Sequence, residues 1–256
     1  MIHPSAIIDP SAQLGKGVSI GAYSVIGADV SIGDHCWIGP HVVISGPTSI
    51  GQHNQIYQFS SLGEAPQDLK YKGEPTRLTV GDHNVIREYV TFNRGTVDGN
   101  GETRIGSNNL FMAYCHVAHD CRVGNHTVFA NAASLAGHVE VGDYATLGGF
   151  TSVHQFTRLG SRCFTGLGSV VTQDIPPFST AAGTRARAIA INKVGLSRKG
   201  FSKEVIAALH KSFRLLIKSS KPQQQVLTEL QPLMDMHPDV KLFVDFVVDS
   251  QRGIAS

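Results

Sequence analysis

Charge is scarce in this chain: only 16% of its 256 residues are Asp, Glu, Lys or Arg, against roughly 25% in an ordinary soluble domain. The net charge of +2 gives no basic excess of the kind that marks nucleic-acid binders. No apolar run approaches the ~18–20 residues that a membrane span requires. The opening Met1-Ile2-His3-Pro4-Ser5 lacks the basic and apolar stretches of a secretory signal, so a cytoplasmic protein without membrane insertion is expected. Cysteine is sparse as well. Cys36, Cys115, Cys121 and Cys163 form no CxxC pair, which argues against a disulfide framework or a zinc ribbon and for reduced structural thiols. Glycine, by contrast, is plentiful at 27 residues, and a hydrophobic content of 41% suffices for a sizeable core.

Much of that apolar content is periodic. From Ile2 an aliphatic residue recurs at every sixth position through Ile8, Leu14, Ile20, Ile26, Ile32, Ile38, Ile44, Ile50, Ile56 and Leu62. The period resumes at Val80, Ile86 and Phe92, slips by one residue across Arg94–Arg104, and runs on from Ile105 to Leu159. Thr165 breaks it and Val171 closes it. Neither the 3.6 of a helix nor the 2 of a strand produces such spacing. Hexapeptide repeats do, three to a triangular coil, and the fold class predicted is an all-β left-handed parallel β-helix with a C-terminal all-α domain. Residues 18 apart then stack about 4.8 Å apart, and nine or ten coils give a column on the order of 45 Å tall. The glycines that follow many of the aliphatics are expected at turns requiring positive φ.

Two segments leave the pattern, at about 63–79 and 94–104, and read as excursion loops from a column spanning residues 1–190. Loops on a rigid scaffold are common sites of binding. Residues 191–256 read as a helical domain capping the column. Ser202 is the expected N-cap of an amphipathic helix, and Pro222 and Pro238 suit the first turns of two more.

Histidine carries the chemical signal. His119 and His116 flank the inward-facing Val117, and the 18-residue step places Gly137 above His119, His138 above Asp120 and Gln155 two coils up. His154 adjoins them. Histidine is the natural general base at neutral pH, a neighbouring carboxylate can hold its tautomer, and a glycine amide can approach an oxyanion closely. These parts suit acyl transfer from a thioester to a hydroxyl. A solvated polar ladder and a zinc site of the γ-type carbonic anhydrase kind are the alternatives left open by spacing alone.

Beyond this pattern, the chain resembles the bacterial UDP-N-acetylglucosamine acyltransferases of lipid A assembly over nearly its whole length. The resemblance rests on Gln67-Asp68-Leu69-Lys70-Tyr71, Gly73-Glu74-Pro75-Thr76-Arg77, Arg94-Gly95-Thr96, Ala118-His119-Asp120-Cys121, Leu135-Ala136-Gly137-His138-Val139, Val153-His154-Gln155-Phe156 and Arg198-Lys199-Gly200-Phe201. It implies an acyltransferase that moves an (R)-3-hydroxyacyl chain from acyl carrier protein to the 3-hydroxyl of the sugar of UDP-GlcNAc. It also implies a homotrimer with sites between subunits, and no metal or cofactor. His119 would be general base, Asp120 its partner and Gly137 the oxyanion donor. Gln67, Asp68, Lys70, His116, His138, His154 and Gln155 would line the sugar site, with Asn192, Arg198 and Lys199 near the nucleotide.

The departures from the family pattern are informative. Leu167 stands where members taking long chains have glycine, at the floor of the acyl groove. It lies 48 residues, or about 13 Å, above His119, and is expected to shorten the preferred chain to about ten carbons at ~1.3 Å per carbon. Asn93, Ala132 and Val194 replace a frequent histidine, asparagine and glutamate. They bear on ribose recognition and on the acceptor, because some members acylate a 3-amino sugar nucleotide instead.

Overall fold

The computed structural model describes residues 1–256. Three sheets of nine, eight and ten strands, parallel except for the last strand of the third, make the faces of a left-handed parallel β-helix. Face one starts at Ile7–Ile8, face two at Gln13–Leu14 and face three at Ser19–Ile20. Strands are only two to five residues long, because each hexad must both cross a face and turn a corner. Vertical pairing follows the 18-residue step, as in Val117↔Leu135 and Leu135↔Val153.

The periodic aliphatics point inward and stack. Ile38, Ile44, Ile56 and Leu62 are fully buried, within a continuous core of 38 residues. At the break in the pattern, Thr165 is also fully buried. Its hydroxyl bonds that of Thr151 at 2.8 Å and accepts the Gly148 N–H at 3.1 Å, so the buried polar atom is satisfied.

The turns differ from expectation in an instructive way. Nineteen non-glycine residues have positive φ, among them Tyr23, His35, His53, His83, Asp120 and His138, while glycine takes the left-handed position at few corners, such as Gly17 and Gly168. The glycines after the aliphatics, such as Gly33, have ordinary φ and answer a packing demand. A Cβ on Gly33 would lie 2.7 Å from the Gly51 carbonyl carbon of the next coil. The left-handed residues stack instead, as His35–His53–His83 do at ring separations of 5.1 and 4.8 Å. Aromatic contact of this kind offsets part of the ~1–2 kcal/mol that each such φ costs.

Both excursions leave at the corner between faces one and two and are shorter than predicted. Strands Ser61–Glu64 and Arg77–Val80 bracket the first, and Thr91–Asn93 and Glu102–Ile105 the second. The second insertion makes the step from Val80 to Ile105 25 residues instead of 18, and the surplus of seven explains the one-residue slip of a six-residue pattern.

Above the coils, an antiparallel hairpin of Ser179–Ala182 and Arg187–Ile191, which no periodicity announces, leads to four helices: α1 (Lys193–Arg198), α2 (Lys203–Ile217), α3 (Gln223–Met236) and α4 (Pro238–Val248). Ser202 caps α2 by accepting from Val205 N–H, and Pro238 opens α4. The helices build their own core of 13 residues around Leu209, Phe213, Leu230 and Phe243. The column's top is closed by Ala186 and the returning C-terminal Ala255, both members of the column core.

Candidate active site

Coil geometry brings the face-one-to-face-two corners of successive coils into one vertical row, so His119, His138 and Gln155 rise beside the two excursion loops. Together with Gln67, Asp68, Lys70, Thr96, Asp98, Asn100 and Phe156 they line a cavity of about 930 Å³. At its base Asp120 is buried, with no side-chain exposure, while His119 keeps 14%. The Asp120 carboxylate receives Thr96 N–H, Thr96 Oγ1 at 2.6 Å, Asn100 N–H at 3.0 Å and His119 Nδ1 at 2.8 Å. Burial by itself would raise its pKa, but these bonds outweigh it and hold the group down to about 2. An ionised carboxylate only accepts, so His119 donates from Nδ1, and in the neutral imidazole Nε2 is the nitrogen left to accept.

The His119 ring lies flat on Gly137. A Cβ there would come within 2.5 Å of Cε1 and 2.7 Å of Nε2, so only glycine leaves room for the imidazole. The Gly137 N–H makes no hydrogen bond within the chain. His138 stands edge-on to His119 at 5.1 Å and stacks on Phe156 at 4.4 Å. Burial, which disfavours the charged form, lowers the pKa of His138 and of His116. His116 bonds Thr91 Oγ1 at 2.7 Å.

Ligand atoms of His119, Asp120 and His138 fall within 4.8 Å of one another, close enough to consider a metal. The donor set fits poorly, because four donors already occupy the roughly four lone-pair sites of the carboxylate.

Comparison with known proteins follows from this geometry. The family described as UDP N-acetylglucosamine O-acyltransferase, domain 2, matches residues 174–255, and bacterial transferase hexapeptide repeats match residues 29–64 and 102–137. The acyl-[acyl-carrier-protein]--UDP-N-acetylglucosamine O-acyltransferase of Thiobacillus denitrificans is 58% identical over 253 residues, covering 99% of this chain and 98% of the relative. The chain belongs to the UDP-N-acetylglucosamine O-acyltransferase family. Among solved structures, LpxA from Acinetobacter baumannii superposes with a TM-score of 0.97 at 44% identity, covering 100% of this chain and 99% of the other. UDP-N-acetylglucosamine O-acyltransferase (LpxA) from Moraxella catarrhalis gives the same score, identity and coverage.

Not every predicted residue joins the cavity of this acyltransferase. Asn192 and Lys199 line a small pocket with Tyr144 and Arg162 at the corner between faces two and three, and the neighbouring Arg198 lies with them on α1. Leu167, 78% exposed, projects from the turn between Phe164–Thr165 on face three and Val170–Val171 on face one. It therefore does not stand over His119 in the same chain. Forty-eight residues are two full coils plus twelve residues, and that remainder carries the chain two corners onward.

Four further residues carry roles that the sequence pattern does not reveal. Thr96 secures Asp120, while Gly99 lies so close that a Cβ would meet the carboxylate at 2.3 Å, which is how the second loop buries it. Arg94 ties the first loop down: Nη1 donates to the carbonyls of Gly46 at 3.0 Å and Gly63 at 2.6 Å, and Nη2 to the Tyr71 hydroxyl at 3.1 Å. The Arg94-Gly95-Thr96 segment is visible in the sequence as part of the resemblance, but its function is not. Arg252, from the C-terminal tail, places Nη2 2.8 Å from His154 Nδ1 and Nε 2.9 Å from the Thr172 carbonyl. A guanidinium cannot accept, so in this contact His154 Nδ1 is the acceptor; the same nitrogen also lies 3.2 Å from the Gln155 carbonyl.

Proposed function

We propose that this enzyme transfers an (R)-3-hydroxyacyl chain from acyl carrier protein to the 3-hydroxyl of the GlcNAc of UDP-GlcNAc, the first step of lipid A biosynthesis, in the cytoplasm. The observation that carries the reading is the His119 Nδ1–Asp120 bond, which leaves Nε2 as the nitrogen available to act as base, beside a glycine whose N–H has no partner within the chain. Nε2 removes the proton of the attacking sugar hydroxyl as its oxygen bonds the thioester carbonyl carbon. The Gly137 N–H receives the developing oxyanion. Collapse of the tetrahedral intermediate expels the carrier thiolate, which takes the proton from the His119 imidazolium, so the ester and a free carrier thiol leave and the enzyme is regenerated. Asp68 and Lys70, held over the cavity by the Arg94 anchor, suit hydrogen bonds to the sugar nucleotide. Gln67, His138 and Gln155 line the same space, with His116 on an adjoining strand and His154 just past the strand Ser152–Val153. No metal or cofactor enters this scheme.

A homotrimer supports the remaining assignments. Asn192, Arg198, Lys199 and Leu167 lie away from the His119 corner of their own chain, yet a neighbouring column can bring their counterparts to it. Arg198 and Lys199 then offer cations to the diphosphate, and Leu167 blocks the far end of an acyl groove between subunits, favouring about ten carbons. A transfer assay with UDP-GlcNAc and 3-hydroxyacyl carrier proteins of ten, twelve and fourteen carbons tests the whole reading. His119→Ala is expected to lose about 10²–10⁴-fold in kcat, and Leu167→Gly to move the preference toward fourteen carbons. Full activity in His119→Ala would overturn the general-base assignment. A wild-type preference for fourteen carbons, unmoved by Leu167→Gly, would overturn the chain-length assignment.

A further inference from the structure

Charge in this chain is unevenly placed. Residues 192–221 hold eight Lys or Arg and a single acid, Glu204, a net of +7, so the other 226 residues carry −5 to give the total of +2. Half of those eight cations, Lys203, Lys211, Arg214 and the C-cap Lys218, lie along α2. At 100° per residue, Lys203, His210, Lys211, Arg214 and Lys218 fall within an arc of about 100°, opposite the side that buries Leu209 and Phe213. His210, Lys211, Arg214 and Lys218 line a shallow trough of about 460 Å³ with Ala207, Leu215 and Ser219. The Lys and Arg of this stripe are exposed, and none of them forms an ion pair; Glu229, the nearest acid on α3, is engaged by Lys221 at 2.7 Å. Like charges at four-residue spacing destabilise a helix, so the stripe works against the fold that bears it. Burial, then the cations Lys193 and Arg214, lower the pKa of His210, which places α1 and α2 in one positive field.

We propose that the stripe Lys203–Lys211–Arg214–Lys218, continued through Lys193, is the docking surface for the acidic face of the acyl carrier protein. This rests on the acyl-transfer reading above, in which the carrier is the one protein partner. Charge complementarity selects an acidic partner, and continuity selects the carrier: Lys193 begins the helix that also holds Arg198 and leads into Lys199, so a protein seated on α2 lies beside the entrance of the proposed intersubunit site. A second cationic surface, Arg104 and Arg122 on adjacent rungs of face two, is the weaker candidate. It has two free cations, and its neighbour Glu140, one rung above Arg122, is itself an exposed acid.

The decisive measurement compares two donors on the full-length enzyme: the acyl carrier protein, and the same acyl thioester on phosphopantetheine without the protein. In K211E/R214E the KM for the carrier-borne donor is expected to rise about tenfold or more, with the salt dependence of that KM flattened, while kinetics with the small donor and the KM for UDP-GlcNAc stay unchanged. An unchanged carrier KM overturns the proposal, as does a rise produced by R104E/R122E and not by K211E/R214E, or an equal loss with both donors. Should the double reversal fail to fold, K211Q/R214Q read for the same two donors carries the same outcomes at a smaller rise. Wild-type enzyme inactive with both donors would overturn the acyl-transfer reading instead.

Discussion

Four donors converge on the carboxylate of Asp120, three of them from a loop that leaves the column one coil below and folds back over it. That convergence keeps the group ionised although it is buried, and an ionised Asp120 is what directs the His119 proton to Nδ1. Asp120→Asn keeps the size of the side chain but removes the charge that fixes the tautomer, and a loss of about 10²–10⁴ in kcat is expected, read in the transfer assay. Stability follows the same group. With a folded pKa of about 2 against 3.8 for an ordinary Asp carboxyl, the ionised form favours the folded state. Its contribution, on the order of 2 kcal/mol, is complete above pH ~4 and is lost as pH falls through that window toward 2. Denaturation measured between pH 2 and 5 should show a shallower acid limb in Asp120→Asn than in wild type; parallel limbs would refute the assignment.

At the scale of the coil, the six-residue period is legible because every hexad repeats the same inward contact, and it places Gly137 over His119 correctly. The reason for glycine is legible only in the structure. Sequence reasoning ties it to positive φ, whereas His35 and its stacked neighbours take that conformation and Gly33 instead faces the backbone of the next coil. The two accounts make different predictions. If φ were the demand, Gly33→Asn would be tolerated, since asparagine enters the left-handed region readily. With close approach as the demand, Gly33→Asn and Gly33→Ala should both destabilise by about 1–3 kcal/mol in urea unfolding, with kcat unchanged because the site lies several coils above. The excursion loops are visible as lapses of the period, but the Arg94 anchor and the Thr96 bond are not. Both join segments more than twenty residues apart through contacts that have no repeat.

For the whole molecule, the question is which residues share a site. Leu167, Asn192, Arg198 and Lys199 occupy other corners and faces than His119, so a complete site of the proposed kind needs two chains. Mixing tests this directly. His119→Ala and Lys199→Ala enzymes, each impaired alone, are expected to regain activity when unfolded and refolded together, because some interfaces then pair an intact His119 with an intact Lys199. No gain over the separate variants would place both residues in one chain's site and remove the basis for the intersubunit reading.

Periodicity alone specifies the column, its 18-residue step and the vertical neighbours of His119, since a repeating chain on a rigid prism converts residue number into height. The acylation motifs that place the chain in its family are likewise present in the residues themselves. Folding was needed to settle where Asn192, Arg198 and Lys199 come to lie beyond the repeats, how the second aperiodic loop covers Asp120, and that the C-terminal tail returns to set Arg252 against His154. Those features rest on contacts between segments distant in the chain, whose free energy depends on shape and on hydrogen-bond geometry that no spacing encodes. The scarcity of charge belongs to both: composition shows how little there is, and the fold shows that Lys203, Lys211, Arg214 and Lys218 line one helix face without an acid to pair them.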